Sequence, residues 1–178
     1  QKIKVAHFRL SHSRKAFVVA YPRETQEMLL DAFARSLKFY EGVPQRVLID
    51  NPKTMVIKIG KGKERDFHPR FLALMNHYLM QPVACTPAAG WEKGQIENQV
   101  NVVRNQLFKP QLRFESLAAL NLHLHACFET LGKRKHPQFK DKTIDTVFTE
   151  EHSKLRALGR AFDGYVERAV RVSSTCLV

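Results

Sequence analysis

A chain of 178 residues with 44% hydrophobic content can bury a real core and suits one domain, with room for a fragment of a second. No apolar run approaches the roughly 18 residues needed to cross a bilayer, and the opening Gln1 to Val5 alternates charged and apolar residues unlike a signal peptide. The formal net charge of +12 favours a polyanionic partner, nucleic acid before an anionic membrane surface. Cys85, Cys127 and Cys176 are odd in number, far apart and without a CxxC pair, which excludes a disulfide framework or zinc finger and fits a reducing cytosol.

In chain order, Lys2 to Leu10 alternates, with Ile3, Val5 and His7 on one face and Lys4, Ala6 and Phe8 on the other, so it predicts a strand. Ser11 to Arg14 reads as a turn and Lys15 to Tyr21 as a second strand, together a hairpin or meander. Thr25 is placed as an N-cap for a helix over Gln26 to Tyr40, whose apolar positions Leu29, Leu30, Phe33, Leu37 and Tyr40 keep helical spacing, with Gly42 as its stop. Val47-Leu48-Ile49 is a short continuous apolar run, which predicts a strand buried on both faces in the parallel part of an α/β sheet. It ends at Asp50-Asn51-Pro52.

Lys53 to Ile59 predicts a short exposed strand, and the basic, glycine-bearing Lys58 to Arg65 a mobile loop. Phe71 to Met80 reads as a helix, Pro82 to Thr86 as a strand, Pro87 to Gly94 as a loop and Gln95 to Phe108 as a helix. Ser116 caps a further apolar helix through Leu117, Leu120, Leu124 and Phe128. Gly132 to Lys142 is basic and polar, a loop or linker; the pattern weakens from Thr143, and Val170 to Val178 alternates again. Strands alternating with helices imply a mixed α/β sheet with a mainly helical tail.

Two carboxylates stand out. Asp50 follows a predicted buried strand, and the carboxyl ends of such strands are where open α/β sheets gather ligands. Glu97 falls in the first turns of a helix after a glycine-bearing loop. Brought together, they would hold hard divalent cations such as Mg²⁺, which support in-line attack on phosphorus by positioning and charge neutralisation. The bland alternatives stay open: an Asp after a strand forms turns, and a Glu in a first helical turn complements the helix dipole.

Glu92 is the rival to Glu97 but lies in the predicted loop, where Trp91 could stack on a base or simply pack. His123, His125 and Cys127 are two apart on a predicted helix and so diverge by about 200° per step, which argues against zinc. His68 and His77 read as structural or surface residues. Lys58, Lys61, Lys63 and Arg65 form a solvated loop that could also contact phosphates. Arg104, Lys109 and the run Lys133 to His136 are further basic candidates.

The run Arg46-Val-Leu-Ile-Asp50-Asn51-Pro-Lys53-Thr54, followed by Ala88-Ala-Gly90-Trp-Glu92-Lys93-Gly94-Gln-Ile96-Glu97-Asn98, resembles the DDE transposases of the IstA type, bacterial insertion-sequence enzymes that work with an AAA+ ATPase helper. Ser11 to Phe17 and Phe114 to Asn121 match the same family, and the Lys-Gly-x-Ile-Glu run is similar to the helix bearing the last acidic residue of retroviral integrases. The resemblance runs from Val5 to about Leu124 and weakly into the tail.

What it implies is an RNase H-like α/β fold, a mixed sheet flanked by helices, with a helical C-terminal extension. Residues 1–131 would be the catalytic core, 132–168 a basic linker and helical extension, and 169–178 the start of a following β-domain. Asp50 becomes the second catalytic and metal-binding acid and Glu97 the third, 47 positions apart. Asn51 and Lys53 would sit beside metal or DNA, Lys93 and Gly94 would shape the loop before Glu97, and Lys61, Lys63, Lys93 and Arg104 would join the DNA surface. Gln1 to Phe8 has no acidic residue and resembles the family's second strand, so the first Asp is expected upstream and the fragment alone inactive.

The implied function is cleavage of transposon ends and joining of the 3′-hydroxyl to target DNA with Mg²⁺ or Mn²⁺. The implied setting is a homo-oligomer on DNA in the bacterial cytoplasm, at the nucleoid, with the ATPase helper and no membrane. An RNase H-like nuclease without strand transfer and a non-catalytic DNA-binding module are the alternatives.

Overall fold

The computed structural model describes residues 3–62, 64–85 and 113–164. Within them β1 (Lys4–Arg9) and β2 (Ala16–Tyr21) form the predicted antiparallel hairpin, in register from Lys4 opposite Tyr21 to Arg9 opposite Ala16. α1 (Gln26–Tyr40) has the predicted bounds, with the Thr25 hydroxyl accepting from the Met28 amide at 3.3 Å. Next come β3 (Arg46–Ile49), β4 (Val56–Ile59), β5 (Arg65–Phe67), α2 (Pro69–His77) and β6 (Gln81–Ala84). The described chain resumes at α3 (Leu117–Gly132), capped by Ser116 as predicted, and α4 (Ile144–His152), capped by Thr143. β3 and β6 pair in parallel, β4 and β5 antiparallel, so the described strands make three two-stranded ladders.

Period-2 alternation in β2 divides the molecule into layers. Phe17 and Val19 turn towards α1, where they pack with Ala32 and Tyr40. Val18 and Ala20 turn the other way onto Leu120, Leu124 and Phe128 of α3. The hairpin is therefore covered on both faces. Burying a large aliphatic or aromatic side chain contributes roughly 1.5–3 kcal/mol, so these two clusters hold α1 and α3 against β2. A third cluster carries Leu30, Phe33 and Leu37 of α1 onto Ile49, Val56, Phe71, Leu74, Met75 and Ala84, joining the hairpin layer to the parallel pair.

The outer edge of β2 is closed by a side chain. Asn121 accepts from the Ala20 amide at 2.7 Å and donates to the Ala20 carbonyl at 3.0 Å, so its amide group satisfies the Ala20 backbone as a neighbouring strand would.

Several sequence expectations need correction. The run Val47 to Ile49 is buried on one face only: Ile49 is in the core, but Leu48 is 58% exposed, because α1 and α2 cover the opposite side. Lys58 to Arg65 is not a loop throughout; Lys58 and Ile59 belong to β4 and Arg65 to β5, with Gly60 to Gly62 and Glu64 at the hairpin tip. Lys53 to Met55 form a turn rather than strand. Gly42 does not supply the left-handed stop of α1. Glu41 does, with φ 50°, while Gly42 is needed because a β-carbon there would meet the Leu155 side chain at 2.7 Å.

The basic segment after α3 returns to the core. His136 is buried, with Nε2 bonded to the His12 carbonyl at 2.9 Å and Nδ1 accepting from the Gln138 and Phe139 amides. Glu151 of α4 accepts from the His12 and Ser13 amides at the β1–β2 turn, and Val147 is fully buried. Farther on, Arg156 pairs backbone-to-backbone with Val43 and donates Nη2 to the carbonyls of Tyr78 and Leu79. None of the described helices is long and apolar enough to cross a membrane.

Candidate functional site

The parallel pair ends in a corner. The last ladder bond runs from the Cys85 amide to the Ile49 carbonyl at 3.1 Å, closing β3 against β6. Asp50 then leaves the sheet with an exposed side chain. Asn51 takes φ 45°, a left-handed conformation that Asn tolerates better than most residues, and so turns the chain sharply. The Pro52 carbonyl accepts from the Met55 and Val56 amides at 2.9 and 3.0 Å, which starts the β4–β5 hairpin beside the corner.

Arg65 ties these pieces together. Its Nε donates to Asn51 Oδ1 at 2.6 Å and its Nη2 to the Cys85 carbonyl at 2.9 Å. Nη1 donates to the carbonyls of Gly62 and Glu64 at 2.9 and 2.6 Å. The sequence signal for this was hidden, because a single Arg in a basic glycine-bearing stretch carries no mark of an inward-facing fork.

The other predicted site residues divide sharply. Lys53 and Lys61 are exposed on the turn and hairpin tip beside the corner. Glu97, Lys63, Lys93 and Arg104, with Glu92 and Trp91, lie outside the described residues. Among the described residues no group of three His, Cys, Asp or Glu forms a metal-binding set. A hard divalent cation takes oxygen ligands, and the described part of the corner offers one carboxylate for it, Asp50, since Asn51 Oδ1 is engaged by Arg65.

The histidines behave as structural groups. His68 Nε2 bonds to the Lys53 carbonyl at 3.1 Å and His77 Nε2 to the Arg160 carbonyl at 2.7 Å. His123 and His125 diverge as helical geometry demands: His125 meets the Phe39 ring edge-on, while His123 lies 3.3 Å from Cys127 one turn along. A 490 Å³ open cleft between β2, α1 and α3, lined by Phe17, Arg35, Lys38, Phe39, His125 and Glu129 among others, lies away from the corner.

The half-buried His7 of β1 is strongly perturbed. Burial, reinforced by the positive charge of Arg9, lowers the His7 imidazole to about 4. Its Nε2 has no hydrogen-bond partner among the described residues. Neutral His7 is thus part of the hairpin layer and not of the corner.

No family model matches the chain. It is 45% identical over 178 residues to a transposase of Aminobacter aminovorans, covering 99% of this chain and 35% of that protein. It is 43% identical, over the same shares, to a transposase for insertion sequences IS1326/IS1353 of Pseudomonas aeruginosa. A transposase for insertion sequence element IS21 of Pseudomonas aeruginosa is 32% identical over 158 residues, 88% of this chain and 40% of that protein. The chain thus spans between a third and two fifths of these relatives.

Among solved structures, the fold is similar to a chain of the simian T-cell lymphotropic virus intasome in complex with the PP2A regulatory subunit B56 gamma. That match has a TM-score of 0.60 and 13% identity, over 97% of this chain and 59% of that one. It is also similar to the HTLV-2 integrase catalytic core domain in complex with magnesium, trimeric form, with a TM-score of 0.54 and 16% identity over 82% and 93% of the two chains. The BIV integrase catalytic core gives a TM-score of 0.56 at 13% identity, over 85% of this chain and 96% of that one. These likenesses establish a mixed α/β, RNase H-like fold of the integrase-core kind.

Proposed function

Since the chain belongs to the IS21/IS1326, IstA-type family of insertion-sequence transposases, spanning about a third of a member's length, we propose that it forms part of a catalytic domain. That domain cleaves transposon ends and joins the 3′-hydroxyl to target DNA. The observation that carries this is the position of Asp50 at the carboxyl end of the parallel strand β3, beside the end of β6, in an integrase-core fold. In the proposed site Asp50 and Glu97 hold Mg²⁺ or Mn²⁺, as the magnesium bound to the HTLV-2 core invites. When bound, such ions neutralise phosphate charge and activate the attacking oxygen.

Each protein group then has a defined task. The carboxylates of Asp50 and Glu97 supply hard oxygen ligands. Asn51 and Lys53 line the approach to phosphate, and Lys61, Lys63, Lys93 and Arg104 contribute to the basic surface that holds the DNA backbone. The wider assembly belongs to the same proposal: a homo-oligomer on paired transposon ends and target DNA, with an AAA+ ATPase helper.

The test is a strand-transfer assay in Mg²⁺ with the full-length transposase carrying this segment, comparing Asp50→Asn and Glu97→Gln with the parent. Both variants are expected to lose at least about a hundredfold in strand transfer while still binding DNA. Hydrolysis without joined products in the parent would mean a nuclease of the same fold. Full activity of both variants would leave a DNA-binding module in which the two acids are structural; if only Glu97→Gln stays active, Glu92 takes its place.

A further inference from the structure

We propose that Arg65 is the positioning residue of the Asp50 corner and not a DNA-phosphate contact; the inference rests on the proposed role of Asp50. An Arg in a basic hairpin beside a polynucleotide site would ordinarily be assigned to the phosphate backbone. Here the half-buried guanidinium engages four acceptors of its own chain: Asn51 Oδ1 and the carbonyls of Gly62, Glu64 and Cys85. A guanidinium has five N–H donors in a rigid plane, so four are committed and little remains for a phosphate.

The acceptors come from three separate pieces of chain: the residue after Asp50, the residue after β6, and the tip of the β4–β5 hairpin. The Cys85 amide donates to the Ile49 carbonyl at 3.1 Å, one residue short of Asp50. Arg65 reaches both sides, so its side chain ties the left-handed corner at Asn51 to the end of β6. Groups that orient a ligand from behind typically change metal affinity by about 10–100-fold when removed. Lysine cannot replace the fork, since a point-charge ammonium cannot reach the Asn51 and Cys85 acceptors in a fixed plane.

The experiment uses this chain with Arg65→Ala and Arg65→Lys, read by amide hydrogen exchange, by Mn²⁺ broadening of backbone resonances and by the salt dependence of DNA binding. The Cys85 amide is expected to exchange at least about tenfold faster in both variants, while the Leu74 amide in α2 changes less than about twofold. Broadening at Asp50 and Asn51 should need about tenfold more Mn²⁺ than in the parent, and the slope of log K against log salt should stay unchanged. Unaltered Cys85 exchange in both variants overturns the proposal, and a salt slope lowered by about 0.9 with unaltered exchange assigns Arg65 to a phosphate instead. If Arg65→Ala does not fold, Arg65→Lys carries the same three readouts. Asp50→Asn serves as the separate control: if Mn²⁺ broadens position 50 in Asp50→Asn as strongly as in the parent, the metal role of Asp50 falls, and the Cys85 exchange still decides the role of Arg65.

Discussion

The ion pair between Lys15 and Asp145 offers a sharp energetic test. Lys15 immediately precedes β2, with its side chain only 8% exposed; its Nζ lies 2.7 Å from Asp145 Oδ1 of α4. The ammonium also lies 5.4 Å from the Phe39 ring centre and 5.8 Å from that of Phe148. Removing one member of a buried pair usually costs about 3–5 kcal/mol, because the other charge stays buried without compensation. Asp145 is 40% exposed, so solvent screens the pair and the cost should fall to about 2 kcal/mol. Asp145→Asn leaves the lysine charge buried and also removes a first-turn carboxylate from α4, which adds about 0.5 kcal/mol. A loss of about 2–3 kcal/mol is therefore expected for Asp145→Asn.

Lys15→Met should be milder, about 1 kcal/mol, since the thioether chain keeps the packing between Phe39 and Phe148 while the desolvated charge disappears. The double variant should cost about 0.5 kcal/mol more than Lys15→Met alone, because the first-turn carboxylate is lost as well. Urea unfolding with an unchanged m-value measures all three. The reasoning is refuted if Asp145→Asn costs under about 0.5 kcal/mol, or if Lys15→Met costs more than Asp145→Asn.

Three further outcomes are expected. The folded chain resists protonation of His7, which titrates at about 4 instead of 6.5, so its stability contribution is complete above pH 6.5 and is lost as pH falls from there to about 4. The loss amounts to at most about 3 kcal/mol, and His7→Phe should flatten that stretch of a urea-midpoint-against-pH curve. Leu79 has φ 52° with a side chain 75% exposed, so Leu79→Gly should raise stability by about 0.5–1 kcal/mol, seen as a higher thermal midpoint; a lower one would mean that the leucine side chain is packed in solution. Asn121→Ala strips both partners from the Ala20 backbone on the β2 edge and should cost about 2 kcal/mol in the same urea assay, with a cost near zero showing that water replaces them freely.

Much of the architecture was legible because its signals are local. Thr25 and Ser116 cap their helices through bonds that reach only three residues ahead, so residue type and spacing suffice to find them. Alternation over Lys2 to Leu10, a turn and the apolar run up to Tyr21 were enough for the hairpin, and a short apolar run ending in Asp-Asn was enough to place Asp50 at a strand end. After Thr143, where sequence periodicity fades, α4 still forms: Thr143 caps it and its buried Val147 anchors it to the core.

Other features depend on which segments meet across long stretches of chain. Leu48 is as apolar as Ile49, yet only Ile49 has α1 and α2 above it. Gly42 is explained by Leu155, more than a hundred positions away, and not by the helix it follows. Arg65 looks like any cation of a basic loop until Asn51 and Cys85 are brought to its two sides. Spacing records only what a residue does with its near neighbours. Burial on one face, steric need for a missing side chain and the direction of a guanidinium fork are set by distant partners, and only the assembled fold supplies them.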